Sequence, residues 1–489
     1  MSSSTRSPAR WWGLTLIALA QFMVIMDASI IGVALPRMQE DLGFTPNTLS
    51  WVFNAYVIAL GGLLLLGGRL SDLFGPRRMF ATGWVILGAG SLVAGFAGDV
   101  ATELVGRVLQ GAGSALIAPA ALTLLMMLFG HNPRELTKAM AFYGAAAPAG
   151  GTAGVFLGGV ITELASWPWV FFINVPIAVL VLAVMWRALP GGTLGAKGSV
   201  DVLGALAVTL GLAALVYGIV RAEVVGWAAA ETWIAIGAGV VLLLLFLIIQ
   251  RVKREPLMRL SIFRSPNLGA ANLAQVLLGA AWIPMWFFLN LYLQQVLGFS
   301  AFPAGAALLP MTALIMIGMI VLAPRVIAAF GPKVPIVLGL VLLAAGLGWM
   351  AFIRPEGNYW VDAFGPSLVV AFGQALAFIP SLQVAISSAP PEEGGLASGI
   401  VNTSYQVGSA IGLAAVSAIA AGFGASHLGD AEALTSGYSA AFVAAGGIAL
   451  VGALLVAALF RTRRPDRTVG DDLHPHAVSG GVGTVTSRD

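Results

Sequence analysis

Asp27 is the only acid well inside an early hydrophobic stretch of this chain, an apolar run from Trp11 to about Leu35. A charged side chain in hydrocarbon is costly, so it must face a cavity or a partner. Burial favours the protonated carboxyl and a nearby cation favours the ionised one, so such a group suits reversible proton exchange near neutral pH. The alternative is a structural acid bonded to a neighbouring helix. Arg107 sits early in a later apolar run, with Glu103 one helical turn before it. It either snorkels to an interface beside Glu103 or faces the interior, where it modulates a carboxylate or relays protons through water. A third group, Asp72 with Arg69, Arg77 and Arg78, lies between two apolar runs and is flanked by Gly68 and Gly75. Those glycines allow a tight turn against neighbouring helix ends. The cluster is either a solvated loop or a latch that holds one gating state.

The equipment of an enzyme is missing. The sequence has no G-x-S-x-G, H-E-x-x-H or GxxxxGK[ST], and its four histidines fall in predicted loops or the tail. With no cysteine, disulfides, thiolate catalysis and cysteine-ligated metals are excluded. His474 and His476 are spaced H-x-H, which is too little to assign a metal, and no metal or cofactor is expected. Without a Walker motif, any transport draws on an ion or solute gradient or is passive.

The elements that position these groups are set by composition. Of 489 residues, 58% are hydrophobic and 10% charged, against roughly 25% charged in a soluble protein. Most of the chain therefore has lipid as its solvent, which excludes a soluble enzyme, a disordered protein and a fibrous repeat. The net charge is only +3 and no basic cluster lies on a polar domain, so the pI near 9.3 does not point to nucleic acid.

Long apolar runs, not alternating ones, predict an all-α polytopic membrane protein. The expected spans are 11–35, 49–69, 79–98, 102–128, 137–163, 168–188, 202–221, 232–250, 267–296, 301–328, 334–354, 361–388, 394–423 and 437–460, fourteen in all. The first is too long for the h-region of a signal peptide and no A-x-A site closes it. With the N-terminus inside, 21 of the 25 basic residues fall in inside segments. Arg37, Arg221 and Arg354 lie outside, and Arg107 in or at the edge of a span. Missing one helix would spoil that split. Both termini are thus expected in the cytoplasm of a multi-pass inner (plasma) membrane protein, with a disordered tail. Arginine outnumbers lysine 21 to 4, which fits a GC-rich bacterial genome.

Phe74-Gly75-Pro76-Arg77 after the second span recurs as Phe330-Gly331-Pro332-Lys333 after the tenth, and Arg69 and Arg325 precede each glycine by six residues. The offset makes helices 1–6 and 9–14 equivalent halves, an architecture transporters use. The expected divisions are 1–190 for the first six-helix bundle, 191–264 for two inserted helices and a linker, 265–462 for the second bundle and 463–489 for the tail. The inserted pair is expected to be a peripheral hairpin. Ala328 stands where Asp72 would align, so a latch would exist in one half only.

Four motifs then carry a family resemblance. Gly68-x-Leu70-x-Asp72-x-x-Gly75-x-Arg77-Arg78 resembles the loop 2–3 signature of the major facilitator superfamily. Asp27-Ala28-Ser29-Ile30-Ile31-Gly32-Val33-Ala34-Leu35-Pro36, with fourteen spans, resembles its fourteen-helix drug:H+ antiporter subfamily. Leu104-x-x-Arg107-x-x-Gln110-Gly111-x-Gly113 is similar to that family's proton-transfer motif, and Trp167-Pro168-Trp169-Val170-Phe171-Phe172-Ile173-Asn174-Val175-Pro176 is typical of the subfamily. The resemblance is dense over helices 1–6 and mainly topological beyond. It implies a proton-gradient-driven exporter, the multidrug efflux and antibiotic-resistance type, rocking two bundles about a cavity. Asp27 and Arg107 would couple protons and the loop 2–3 motif would gate.

Helix 5 carries Gly144, Pro148, Gly150, Gly151, Gly154, Gly158 and Gly159. Small residues at this spacing permit close helix contact and proline permits bending. The family's antiporter motif, GxxxGPxxGG, is matched except that Val155 replaces its proline. A uniporter or symporter of the same fold therefore stays open, as does a channel, although a duplicated six-helix unit does not suggest a pore built by oligomeric symmetry. Cavity candidates are Trp51, Asn54 and Tyr56 on helix 2, Gln110 on helix 4, Gln275, Asn290, Tyr292 and Gln294 on helix 9, Gln374 on helix 12, and Asn402 and Gln406 on helix 13. Interhelical hydrogen bonding is the commoner use of such residues. Their apolar and aromatic surroundings suit a lipophilic or amphipathic solute, and a cation would fit near Asp27 and an aromatic face. Expected partners are a small-molecule substrate, protons and lipid, with the protein a monomer.

Overall fold

The computed structural model describes residues 8–44, 51–192, 201–254, 256, 258, 260–390, 393–427 and 429–461. The tail with His474 and His476 lies outside them. Among the described residues there is no strand, and fourteen helices are long and apolar enough to cross a membrane. They are α1 (Pro8–Leu42), α2 (Trp51–Phe74), α3 (Pro76–Gly95), α4 (Val100–Phe129), α5 (Pro133–Leu164), α6 (Trp169–Ala188), α7 (Val202–Val225), α8 (Ala230–Val252), α9 (Leu268–Val296), α10 (Pro303–Phe330), α11 (Lys333–Met350), α12 (Tyr359–Ser387), α13 (Gly394–Ala425) and α14 (Ala431–Leu459).

The helices form two bundles of six plus an inserted pair. In the first bundle α1 packs on α4, α5 and α6, α4 also meets α2 and α3, and α3 meets α6. The same pairings recur in the second bundle: α9 on α12, α13 and α14, α12 also with α10 and α11, and α11 with α14. Both repeated loops turn on a left-handed glycine, Gly75 at φ 94° and Gly331 at φ 72°. A side chain with a Cβ is strained there, and the proline that follows each presets the next helix start. The bundles meet where α2 and α4 contact α13 and where α5 contacts α10 and α12.

The inserted pair is less peripheral than its sequence suggests. α8 packs on α7, but α7 lies against both α2 and α13. Ala205, Val208 and Leu212 share a buried cluster with Leu65 of α2 and with Leu396 and Ile400 of α13, and the Thr209 hydroxyl donates to the Gly62 carbonyl at 2.8 Å. The hairpin therefore walls one seam between the bundles. Lys253 and Gln250 hold it through the buried carboxylate of Asp201, at 2.6 and 3.0 Å.

Candidate functional site

α1 enters the first bundle along a strip of α5 that has no side chains. A Cβ on Gly150 would overlap the Phe22 carbonyl oxygen, one on Gly154 would lie 2.8 Å from the Met26 carbonyl, and one on Gly158 would lie 2.8 Å from that of Ile30. The glycine motif of helix 5 thus brings α5 onto the backbone of α1 at the level of Asp27. Pro148 lies inside α5 two residues before Gly150. Val155, in the motif's proline position, faces α10: a Cβ on Gly305 would lie 3.1 Å from its Cγ1. Nearby, the buried hydroxyls of Thr152 and Thr312 pair across the same seam at 2.7 Å.

Asp27, so held, has no exposed surface. Its Oδ2 accepts from Arg107 Nη1 at 2.9 Å, while Oδ1 accepts from Gln110 Nε2 at 2.9 Å and Asn174 Nδ2 at 2.6 Å. Arg107, equally buried, also donates Nε to the Val52 carbonyl at 2.8 Å and Nη1 to Gln110 Oε1 at 2.8 Å. Its guanidinium carbon stands 4.6 Å from the centre of the Tyr56 ring, close enough for a cation–π contact. The Tyr56 hydroxyl donates to the Val24 carbonyl at 2.9 Å and lies 3.1 Å from Ser114 Oγ. Five helices, α1, α2, α3, α4 and α6, thus meet in one sealed polar knot. Arg107 points inward and does not snorkel.

Neutral residues complete the knot. Ser91 on α3 accepts from both Gln110 and Asn174, at 2.9 and 3.1 Å. Asn174 is placed there by a break in α6: Pro176 has no N–H for the carbonyl of Phe172, and the helix divides between Phe172 and Asn174. Sequence reasoning quoted Asn174 only within a motif and did not single out Ser91 or Ser114. The proline two residues after an intramembrane asparagine was the available signal.

At the end holding the α2–α3 loop, Asp72 reaches the other bundle. Its Oδ1 accepts from the Gly395 amide at 2.7 Å and its Oδ2 from the Leu396 amide at 2.9 Å. These are orphan donors at the start of α13, where helix geometry leaves amides free and favours negative charge. Gly68 and Gly395 permit the approach, since a Cβ on Gly68 would overlap the Gly395 carbonyl oxygen. Arg77 instead stays within its own bundle, donating to the Leu189 carbonyl at 3.2 Å and stacking on Trp186 at 5.0 Å. Arg78 is exposed.

The remaining polar candidates are dispersed. Trp51 stacks on Tyr217 of α7 at 5.5 Å, and Asn54 is buried. Gln275 donates to the Phe378 carbonyl and Ser381 hydroxyl, at 3.2 and 3.0 Å. Gln294 bonds Asn290 at 3.0 Å, and Tyr292 donates to the Arg354 carbonyl at 3.0 Å. Asn402 bonds the Ser398 carbonyl of its own helix at 2.8 Å. Gln374 is buried with an unpartnered Oε1, and Gln406 borders a narrow gap between α2, α7 and α13. The described residues bring only Tyr56 and Gln110 of this group to Asp27.

The sequence model of the Major Facilitator Superfamily matches residues 17–413. The chain belongs to this family. Within the superfamily it is of the fourteen-helix type, a transporter and not an enzyme. It is 37% identical over 433 residues to the cephamycin export protein CmcT of Amycolatopsis lactamdurans, covering 88% of each chain. It is 34% identical to the puromycin resistance protein pur8 of Streptomyces alboniger, covering 96% of this chain and 95% of that one. The human organic anion transporter MFSD10 shares the fold, with a TM-score of 0.68 at 16% identity over 92% of this chain and all of that one.

Proposed function

We propose that this major facilitator protein is a proton-driven exporter of lipophilic or amphipathic small molecules, cations included, which works by alternating access between its two bundles. The observation that carries the reading is the Asp27 carboxylate, sealed from solvent and held by one guanidinium and two amides. Such a group takes up or releases a proton only when the bundle opens, and each protonation change alters what Arg107 must bond. That is the property a coupling site needs. Relatives named for cephamycin export and puromycin resistance support small-molecule efflux. Because each of these names specifies one compound, a dedicated exporter of a single antibiotic, lipid or metabolite is the second reading.

The split of basic residues supports a topology with both termini in the cytoplasm. The Asp72 contact to α13 then closes the cytoplasmic face, and Asp72 with Gly68, Gly75, Arg77 and Arg78 forms the gate. The working units are residues 1–190 and 265–462, with 191–264 as the inserted pair, acting as a monomer. A neutral substrate exchanged for one proton draws on both the membrane potential, about 2.3 kcal/mol per charge per 100 mV, and the pH gradient. A monocation exchanged for one proton draws on the pH gradient alone.

The test is proton movement in reconstituted vesicles with an internal pH dye, challenged with lipophilic cations and neutral amphiphiles, puromycin among them. Substrate-dependent proton flux is the expected result. Substrate movement with no proton flux would replace antiport by uniport and make Val155 the place to look.

A further inference from the structure

Glu103 lies one turn from the knot and plays no part in the hydrogen bonds described above. It has no exposed surface, and none of the described residues donates a hydrogen bond to either carboxyl oxygen. Arg107, four residues on and so on the same face of α4, has an equally buried Nη2 with no acceptor. An unused donor and two unused acceptors therefore sit a turn apart in a site closed to solvent.

We propose that Glu103 is a second proton station, set between Asp27 and the α3–α4 loop, and that Arg107 exchanges one carboxylate for the other as a single proton passes between them. The inference rests on the proton-driven reading above and extends it to a further residue.

Charge balance decides which acid carries the proton. Among the described residues the sealed cluster contains two acids, Asp27 and Glu103, and one cation, Arg107. An unpaired charge buried with no compensating hydrogen bond is strongly disfavoured, so one carboxylate is ionised opposite the guanidinium and the other acid keeps its proton. Asp27 receives three side-chain donors and Glu103 none. Asp27 therefore holds the negative charge here and Glu103 the proton. Tyr56, from α2, already donates its hydroxyl to the Val24 carbonyl. The arginines of α3 and α6, Arg77, Arg78 and Arg187, stand at the other ends of those helices.

The step conserves charge. A proton leaves a Glu103 Oε, crosses water admitted when the α3–α4 end opens, and binds an Asp27 Oδ. Glu103 becomes the carboxylate and Asp27 the neutral acid. Arg107 stays protonated and turns its free Nη2–H group to Glu103. One anion faces one cation before and after, so the proton reaches Asp27 with no uncompensated buried charge. Glu103 recovers a proton at the α3–α4 end, where the exposed Asp99 caps α4 one turn away through the Thr102 amide at 2.8 Å.

Infrared spectra of the full chain in lipid nanodiscs at neutral pH test this without any substrate. The wild type is expected to show a protonated-carboxyl C=O band that is lost in Glu103→Gln and displaced in Glu103→Asp. The band is also expected to vanish in Asp27→Asn, because Glu103 must then ionise to face Arg107. A Glu103→Gln spectrum identical to wild type in this region would overturn the proposal. So would a band that persists unchanged in Asp27→Asn. In vesicles with ethidium as the probe, Glu103→Gln should lower ethidium-driven proton flux about tenfold with unchanged ethidium affinity, and Glu103→Asp should restore part of it. Ethidium movement with no proton flux in the wild type would defeat the antiport reading itself, and coupled flux retained in Asp27→Asn would remove Asp27 from the mechanism. Flux lost in Asp27→Asn but intact in Glu103→Gln would defeat only the role of Glu103.

Discussion

Asp72 on α2 and Gly395 on α13 come from opposite bundles and meet with Oδ1 2.7 Å from the backbone amide. A second bond, to Leu396 at 2.9 Å, makes the carboxylate a helix cap supplied by the other half of the chain. Parting the bundles at this end exposes two amides that nothing on α13 itself satisfies.

Asp72→Ala removes both bonds. A lost helix cap costs about 0.5–2 kcal/mol, which shifts an open–closed equilibrium by roughly 2- to 30-fold. Because the chain has no cysteine, spin labels at the exposed positions His131→Cys and Ser387→Cys would report only the distance between the bundles at this end. The longer-distance population should grow in Asp72→Ala. An unchanged distribution would mean that the cap does not hold the closed state.

The α1–α5 contact makes a paired prediction. Gly150→Ala drives a methyl into the Phe22 carbonyl, which as backbone cannot give way, whereas the nearest atoms to a Cβ on Gly151 are 3.7 Å distant. Gly150→Ala should lower stability by about 1–3 kcal/mol. Gly151→Ala should be close to neutral. Thermal unfolding of the two purified variants checks the contrast.

If Asp27 and Glu103 both serve Arg107, removing either leaves a counter-ion and removing both leaves none. The double variant Asp27→Asn/Glu103→Gln should lose about 3–5 kcal/mol, the usual result of stranding a buried charge. Each single variant should lose much less. Additive small losses across the four proteins of this double-mutant cycle would show that the two acids do not share the guanidinium.

Asp99, at the exposed start of α4, has its carboxyl held below the ordinary range by the Thr102 amide and hydroxyl. A depressed carboxyl contributes stability above its unfolded pKa and loses it as pH falls through the folded value. Hydrogen exchange at the Thr102 amide should therefore accelerate as the pH drops below the usual carboxylate range, and Asp99→Asn should blunt that dependence. Exchange with the same pH profile in both proteins would contradict the cap.

Hydropathy made the fourteen helices legible, and the repeated Phe-Gly-Pro loops revealed the duplication, because both depend on local residue pattern. The knot was only half legible. Asp27 and Arg107 each stood out as a charge in an apolar run, but they are 80 residues apart and nothing local pairs them. Ser91, Ser114 and Asn174 carry no charge and so gave little signal. The partner of Asp72 was invisible for another reason: it is backbone, two amides that any helix start would offer. Neutral polar residues were the least informative, since Asn402 bonds its own helix and Gln294 bonds Asn290.

The reading proposed above makes protonation of Asp27 the step that couples the pH gradient to export. The most direct measurement compares wild type and Asp27→Asn in the same vesicles, using uphill accumulation of a transported cation under an imposed pH gradient and exchange of that cation with no gradient. The variant should lose accumulation and keep exchange, since the bundles still rock about an intact binding surface. Accumulation that survives in Asp27→Asn would contradict it.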